Sequence, residues 1–428
     1  MTPSPLSAAQ SASSGKFTKL ERNWILYDVA NSALVLLAAS VVPIYLNSLL
    51  EGAGRSDVVT SFGYAQTVAS LLVAILMPIL GSFADFQGQK VRFFIGAFLT
   101  GLVCCFGMAL PLSWFAFLVV YVLASVGLNA SQTFYDAMLV DVTTSERMHK
   151  VSAHGYAWGY VGSTVPFIVC LVLILAGPDL LGIPADIATR IAFVITGAWW
   201  LAFTVPLLRS YRQLHYKPAK PAREVVTSAF SNLWATMKKI AANKPLLYFM
   251  LAFFFYIDGV HTVIAMSTSY GTSLGIDSTQ LVLALLLTQF VAFPSAIAYG
   301  RLANRYGGRR MIIVAVVAYV CIVFFAAFFL KTAREFWVLA VCVGLFQGGI
   351  QAISRSYFGQ LIPKKNANEF YGFFDIFGKY ASVMGTFLVA VFTQVTGNAS
   401  YGVLSIAVLL VVGLVLLVRM PEPQPAQD

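Results

Sequence analysis

The sequence predicts an all-α integral membrane protein with twelve transmembrane helices in two pseudo-symmetric six-helix halves. Three observations carry this. Hydrophobic residues make up 59% of the 428 residues and charged residues only 11%, where a soluble domain carries about 25% charged; mean hydropathy is +0.78. The apolar residues fall into about twelve runs, each near the roughly 20 residues that cross a bilayer. A short turn occurs twice, as Gly81-Ser-Phe-Ala-Asp85-Phe-Gln-Gly88-Gln-Lys90 and as Gly300-Arg-Leu-Ala-Asn304-Arg305-Tyr-Gly307-Gly-Arg309, at a constant offset of 219 residues (300 − 81). Repetition at half the chain length marks two similar halves.

The net charge of +10 could suggest nucleic acid, but its distribution excludes that. On the twelve-helix reading, 23 of the 28 Lys and Arg fall on one side of the membrane. This positive-inside pattern places both termini in the cytoplasm and predicts a multi-pass protein of the cell (inner) membrane. The cysteines, at 104, 105, 170, 321 and 342, all lie in apolar runs and read as small packing residues. No metal centre or cofactor is expected. Residues 1–22 read as a disordered cytoplasmic N-terminus, 23–208 as the first half, 209–244 as a linker, 245–419 as the second half and 420–428 as a cytoplasmic tail.

Taken in order, helix 1 spans about 24–50 and contains Asp28, so it reads as an uncleaved span rather than a signal peptide. Helices 2 to 6 follow at about 58–83, 91–110, 114–140, up to 176, and 190–208. Thr143-Thr-Ser-Glu146 has capping-box spacing ahead of helix 5. In the linker, Val226, Phe230, Leu233, Trp234, Met237 and Ile240 recur at helical spacing and predict an amphipathic helix against the membrane or the bundle. Helices 7 to 12 follow at about 246–270, 280–301, 311–330, 336–360, up to 395, and 401–418, with the turn from Ile362 to Glu369 capping helix 11.

Ionisable residues inside a membrane are expensive and are functional candidates by default. Helix 1 carries Asp28, Asn31 and Ser32 on one face, and helix 7 carries Asp258, His261 and Thr262 at the same spacing. Helix 4 carries Asn129, Gln132, Thr133 and Asp136; helix 10 carries Gln347, Gln351, Ser354 and Arg355. We read Asp28, Asn31, Ser32, Asn129, Gln132, Asp258, His261, Gln347 and Gln351 as a substrate or proton site. Asp136 and Arg355 also differ by 219, which predicts either an ion pair gating the cytoplasmic side or two separate structural pairs. Asp375 and Lys379, at i and i+4 on helix 11, form a candidate self-neutralising pair. The repeated turns supply gating candidates: Gly81, Asp85, Gly88 and Lys90, then Gly300, Asn304, Arg305, Gly307 and Arg309. Their glycines permit tight reversals, and Asp85 can cap a neighbouring helix.

The turns resemble the G-x-L-A-D-R-x-G-R-K loop of the major facilitator superfamily, with Phe86 and Gln89 departing in the first copy and Asn304 in the second. Asn23-Trp-Ile-Leu-Tyr-Asp-Val-Ala-Asn-Ser32, Tyr256-Ile-Asp-Gly-Val-His261-Thr and Gly348-Gly-Ile-Gln-Ala-Ile-Ser-Arg-Ser356 are similar to motifs of its vacuole-effluxer-like branch, which includes an autophagy-related vacuolar amino-acid exporter of yeast. His261 stands where Gln is expected. The resemblance implies a monomeric secondary transporter, not an enzyme, which exports an amino acid or related solute by proton-coupled alternating access. It also implies that Asp85 contacts helix 11 and stabilises the outward-open state, with a weaker counterpart at Asn304. Small solute, protons and lipid are the expected partners. Two rivals remain at this level: a divalent-metal exporter using Asp28, Asn31, Asp258 and His261, and a non-transporting receptor or scaffold of the same fold.

Overall fold

The computed structural model describes residues 16–55, 58–218, 234–380 and 383–422. Of the N-terminus expected to be disordered over 1–22, residues 1–15 lie outside this range, whereas 19–22 are helical as the start of α1; of the tail expected at 420–428, residues 423–428 lie outside it. The first half comprises α1 (Lys19–Glu51), α2 (Val58–Ala84), α3 (Gln89–Gly107), α4 (Trp114–Val142), α5 (Met148–Leu181) and α6 (Ala185–Ser210). The second comprises α7 (Lys244–Ser273), α8 (Ser278–Tyr306), α9 (Gly308–Phe329), α10 (Ala333–Leu361), α11 (Ala367–Tyr380), α12 (Val383–Thr396) and α13 (Ala399–Arg419). The single helix expected up to 395 is thus described as α11 and α12, on either side of 381–382. Eleven helices among the described residues are long and apolar enough to cross a membrane, and Met384–Thr396 is a shorter apolar one.

Local chemistry sets several boundaries the sequence placed differently. Thr18 and Glu21 form a capping box that starts α1 five residues early, and Thr332 with Glu335 does the same for α10. The predicted box at Thr143 does not cap α5, which opens at Met148 with no side-chain cap. Thr143 instead donates to Glu21 at 2.7 Å, because that buried carboxylate also needs Arg147, at 2.8 Å, to be satisfied. Nor does the turn 362–369 cap α11 by itself: Asp85, from the end of α2, accepts from the amides of Asn368 and Glu369 at 2.9 and 3.3 Å.

The halves meet where α5 packs on α8 and α10, and where α2 and α4 pack on α11. Missing side chains permit the closest approaches. A Cβ on Gly81 would lie 2.6 Å from the Asn368 carbonyl oxygen, and one on its repeat partner Gly300 would lie 2.5 Å from the Ala153 Cβ. Gly88 and Gly307 hold φ of 71° and 91°, which only glycine adopts freely. The second turn departs from expectation because α8 runs past Gly300 to Tyr306 before Gly307 ends it. In the linker, residues 234–242 are helical, with Thr236 and Ile240 buried and Trp234 and Met237 exposed. Val226, Phe230 and Leu233 lie outside the described residues.

The Gly81 contact is against backbone, which cannot rotate away. Gly81→Val should therefore lower stability by about 1–3 kcal/mol, read as a fall in melting temperature of the detergent-solubilised protein. Gly96→Ala, where an added Cβ meets nothing within 4 Å, should not lower it. Equal melting of the two variants would contradict this account of the interface.

Candidate functional site

A cavity of about 590 Å3 lies between the halves, lined mainly from α1, α4, α5, α7, α10 and α11, with Gln66 from α2 and Gln289 from α8. Its floor, toward the end of the bundle that bears the repeated turns, is an ion triad. Arg355 on α10 donates from Nη1 to Asp136 Oδ1 at 2.9 Å and from Nη2 to Asp28 Oδ2 at 3.1 Å. Its Nε bonds Ser152 Oγ at 2.9 Å, and Nη2 also reaches the Ser152 carbonyl at 3.1 Å. The guanidinium sits 4.7 Å from the ring of Trp24 and 4.4 Å from that of Tyr156. Tyr135 donates to Asp28 Oδ2 at 2.8 Å. Room for the triad comes from α5: a Cβ on Gly155 would lie 2.3 Å from Asp28 Oδ2.

The polar faces of α1 and α4 meet above the triad. Gln132 donates to Asn31 Oδ1 at 3.0 Å, and Asn31 donates to the Tyr27 carbonyl at 2.9 Å. Ser32, Asn129, Gln347 and Gln351 also line the cavity. Thr133 on α4 donates to Asp375 on α11, a direct bond between halves. The side chain of Lys379 lies outside the description, so its expected pairing with Asp375 does too.

Helix 7 does not contribute as its spacing suggested. His261 lines the cavity, but Asp258 is wholly buried away from it. Asp258 Oδ1 instead accepts from the Gly385 amide at 3.0 Å and from Thr262 at 3.3 Å. A common helix face at i and i+3 still spans enough arc for one residue to face the cavity and the other a neighbouring helix. The ligand set Asp28, Asn31, Asp258 and His261 therefore does not converge. Among the described residues no three His, Cys, Asp or Glu come together to hold a metal.

The gating candidates divide into two groups. Asp85 is buried and takes Asn368 through both its amide and its side chain, at 2.9 and 2.8 Å. Lys217 from the linker lies 3.6 Å from Asp85 and 3.1 Å from Glu369, and Thr236 donates to Glu369 at 2.5 Å. The linker thus joins the contact between α2 and α11. Lys90 and Arg309 serve their own halves instead. Lys90 pairs with Asp141 at 2.7 Å, and Arg309 donates to the carbonyls of Leu417 and Val418 at 3.0 and 2.9 Å. Each cation thereby meets the negative end of a neighbouring helix. Asn304 and Arg305 are exposed, and among the described residues Asn304 makes no contact matching that of Asp85.

The sequence reading missed Gly155, Ser152, Tyr135 and Trp24. The run Gly155-x-x-x-Gly159 was the available signal, since small residues four apart mark close helix packing in membranes.

A two-half helical bundle closed over a polar cavity defines a transporter of the major facilitator class. The fold matches FucP, a major facilitator transporter in the outward conformation, with a TM-score of 0.69 at 13% identity over 94% of this chain and 98% of that one. The chain belongs to the family described as vacuole effluxer Atg22 like, whose profile matches residues 18–428. It is 43% identical over 414 residues to the uncharacterized MFS-type transporter YxiO of Bacillus subtilis, covering 95% of this chain and 96% of YxiO. It is 29% identical over 310 residues to autophagy-related protein 22 of Cryptococcus neoformans, covering 67% of this chain and 52% of that protein. The chain thus spans about half the length of that fungal relative.

Arg355→Gln should cost about 3–5 kcal/mol, because it strands the buried carboxylate of Asp28 and the largely buried one of Asp136. The triple variant Asp28→Asn, Arg355→Gln, Asp136→Asn should recover most of that loss in a melting assay. A triple variant no more stable than the single one would refute charge pairing as the cause. Burial pushes the Asp85 carboxyl up to about 6, against the pull of Lys217, Lys90 and the Asn368 bonds. With this pKa raised in the latched state and near 4 when released into water, linkage favours the latch at low pH. Spin labels at the exposed positions Gln87 and Lys365 should report most short distances below about pH 4, and a loss as pH rises through about 6. Asp85→Asn should remove that pH dependence.

Proposed function

We propose that this transporter exports an amino acid or related small metabolite by alternating access, coupled to protons. The observation that carries the reading is the triad of Asp28, Arg355 and Asp136 at the floor of the cavity. It joins both halves at the end where the cavity is closed, and it holds two carboxylates against one guanidinium. A proton on either carboxylate weakens that half's hold on Arg355 and favours opening. Tyr135 and Tyr156 on the same floor, and Asp375 beside it, share the local field. His261, Tyr121 and Tyr160 are further titratable groups on the cavity wall.

Export is supported by the effluxer description of the family, and the amino-acid class by the three sequence motifs. The concentration of Lys and Arg at the turn-bearing end supports a cytoplasmic assignment for that end and for both termini, in the inner membrane. The cavity volume suits one small solute. A single chain contains the whole cavity, which supports a monomer as the working unit.

Purified protein in vesicles acidified inside should accumulate radiolabelled amino acid against its gradient, and nigericin should abolish the accumulation. Asp136→Asn should lose the response to the pH gradient, so that the exchange remaining at saturating solute is the same with and without it. Accumulation indifferent to nigericin would rule out proton coupling, and no flux of any solute would rule out transport.

A further inference from the structure

An arginine in a transporter cavity ordinarily invites an anionic partner, since its planar fork matches a carboxylate. Here four of the five N–H donors of that fork are already taken. Nη1 is on Asp136, Nη2 on Asp28 and the Ser152 carbonyl, and Nε on Ser152 Oγ. Both ring faces that flank it, Trp24 and Tyr156, lie within 4.7 Å. A solute carboxylate could take only the one remaining Nη1 hydrogen, on a side chain that is 3% exposed, and it would stand beside the negative charges of Asp28 and Asp136.

The carboxylates are differently placed. Asp28 uses Oδ2 for both Arg355 and Tyr135, and Asp136 uses Oδ1 for Arg355. Among the described residues, Asp28 Oδ1 and Asp136 Oδ2 accept no hydrogen bond, and both side chains line the cavity. The triad therefore presents acceptors with a surplus of one negative charge, and Asp375 beside it adds a further carboxylate to the cavity wall. The aromatic rings of Tyr160, Phe253 and Phe374 on the cavity wall offer further favourable surface to a cation.

We propose that the cavity recognises a protonated amine, held by Asp28 and Asp136, and needs no carboxylate on the solute. The ligand class is organic monocations and zwitterions that carry an exposed ammonium. This rests on the reading of the cavity as the transport site and narrows its substrate.

Four probes of one size separate the possibilities: 2-phenylethylamine (cation), phenylalanine (zwitterion), 3-phenylpropionate (anion) and 2-phenylethanol (neutral). Each is titrated into the full-length detergent-solubilised protein at pH 7.5, with affinity taken from the rise in melting temperature. The amine and phenylalanine should bind, and the anion and alcohol should bind at least tenfold more weakly. Asp28→Asn and Asp136→Asn should each weaken the amine at least tenfold. The ligand series on the unmodified protein is decisive even if a variant folds poorly. Binding of phenylalanine without the amine would show that a carboxylate is required and overturn the proposal. So would preference for 3-phenylpropionate, equal binding of the alcohol, or no shift with either amine-bearing probe. Those outcomes leave transport itself to the vesicle flux, whereas amine binding without flux would sink the transport reading and keep the site.

Discussion

The arrangement depends on one buried guanidinium. A charge removed from water is tolerated only when it is paired and hydrogen-bonded. Arg355 meets that demand with groups from both halves: Asp28 on α1, Asp136 on α4 and Ser152 on α5. Because no single helix can satisfy it, the four helices are compelled to converge. Gly155 follows from the same demand, as any side chain there would occupy the space of Asp28 Oδ2. The cavity above is lined largely by uncharged polar groups, Asn31, Gln132 and Gln351 among them, and also carries Asp375 and His261.

The twofold repeat is kept at the glycines and cations of the two turns and broken at the carboxylate. Gly81 and Gly300 each let one helix touch the opposite half, and Lys90 and Arg309 each grip the carbonyl end of a neighbour. The carboxylate at Asp85, however, has no charged equivalent at Asn304. The linker deepens this asymmetry, since Lys217 and Thr236 both converge on Glu369 beside Asp85. Closure at this end therefore has a reinforced side, α2 against α11, and a plainer side, α8 against α5.

Much of the fold was legible because hydropathy reports lipid exposure directly and the bilayer fixes span length. The pairing of Asp136 with Arg355 was legible for a different reason: a shared offset of 219 places both at related positions near the axis between halves. What failed was anything requiring knowledge of which neighbour a helix face meets. Asp258 has the spacing of Asp28, but its side faces the start of α12, so it serves a backbone amide there. Thr143 was assigned to a cap by spacing alone, whereas Glu21, more than a hundred residues away, claims it. Asp28 was recognised as costly, but its partner could not be named, because the space in which it meets Arg355 is left by Gly155 of a third helix.

The energetic weight of the closed end can be placed. Lys217 is about a quarter exposed, at 27%, and partly exposed pairs of that kind contribute about 0–1 kcal/mol. The triad is buried, where loss of one partner costs about 3–5 kcal/mol. Driving a two-state equilibrium from one side to the other takes a differential of about 5.5 kcal/mol. The rim contacts cannot supply that individually, whereas one charge added to the triad comes close. A floor with two carboxylates and one guanidinium is therefore better suited to switching than a balanced pair. A balanced pair is at its most stable when nothing is bound, whereas the surplus leaves the closed end waiting for a positive charge. On the proposed reading, the contact at Asp85 and Glu369 would set how far the resting balance lies toward closure, and the triad would set how strongly a bound cation moves it.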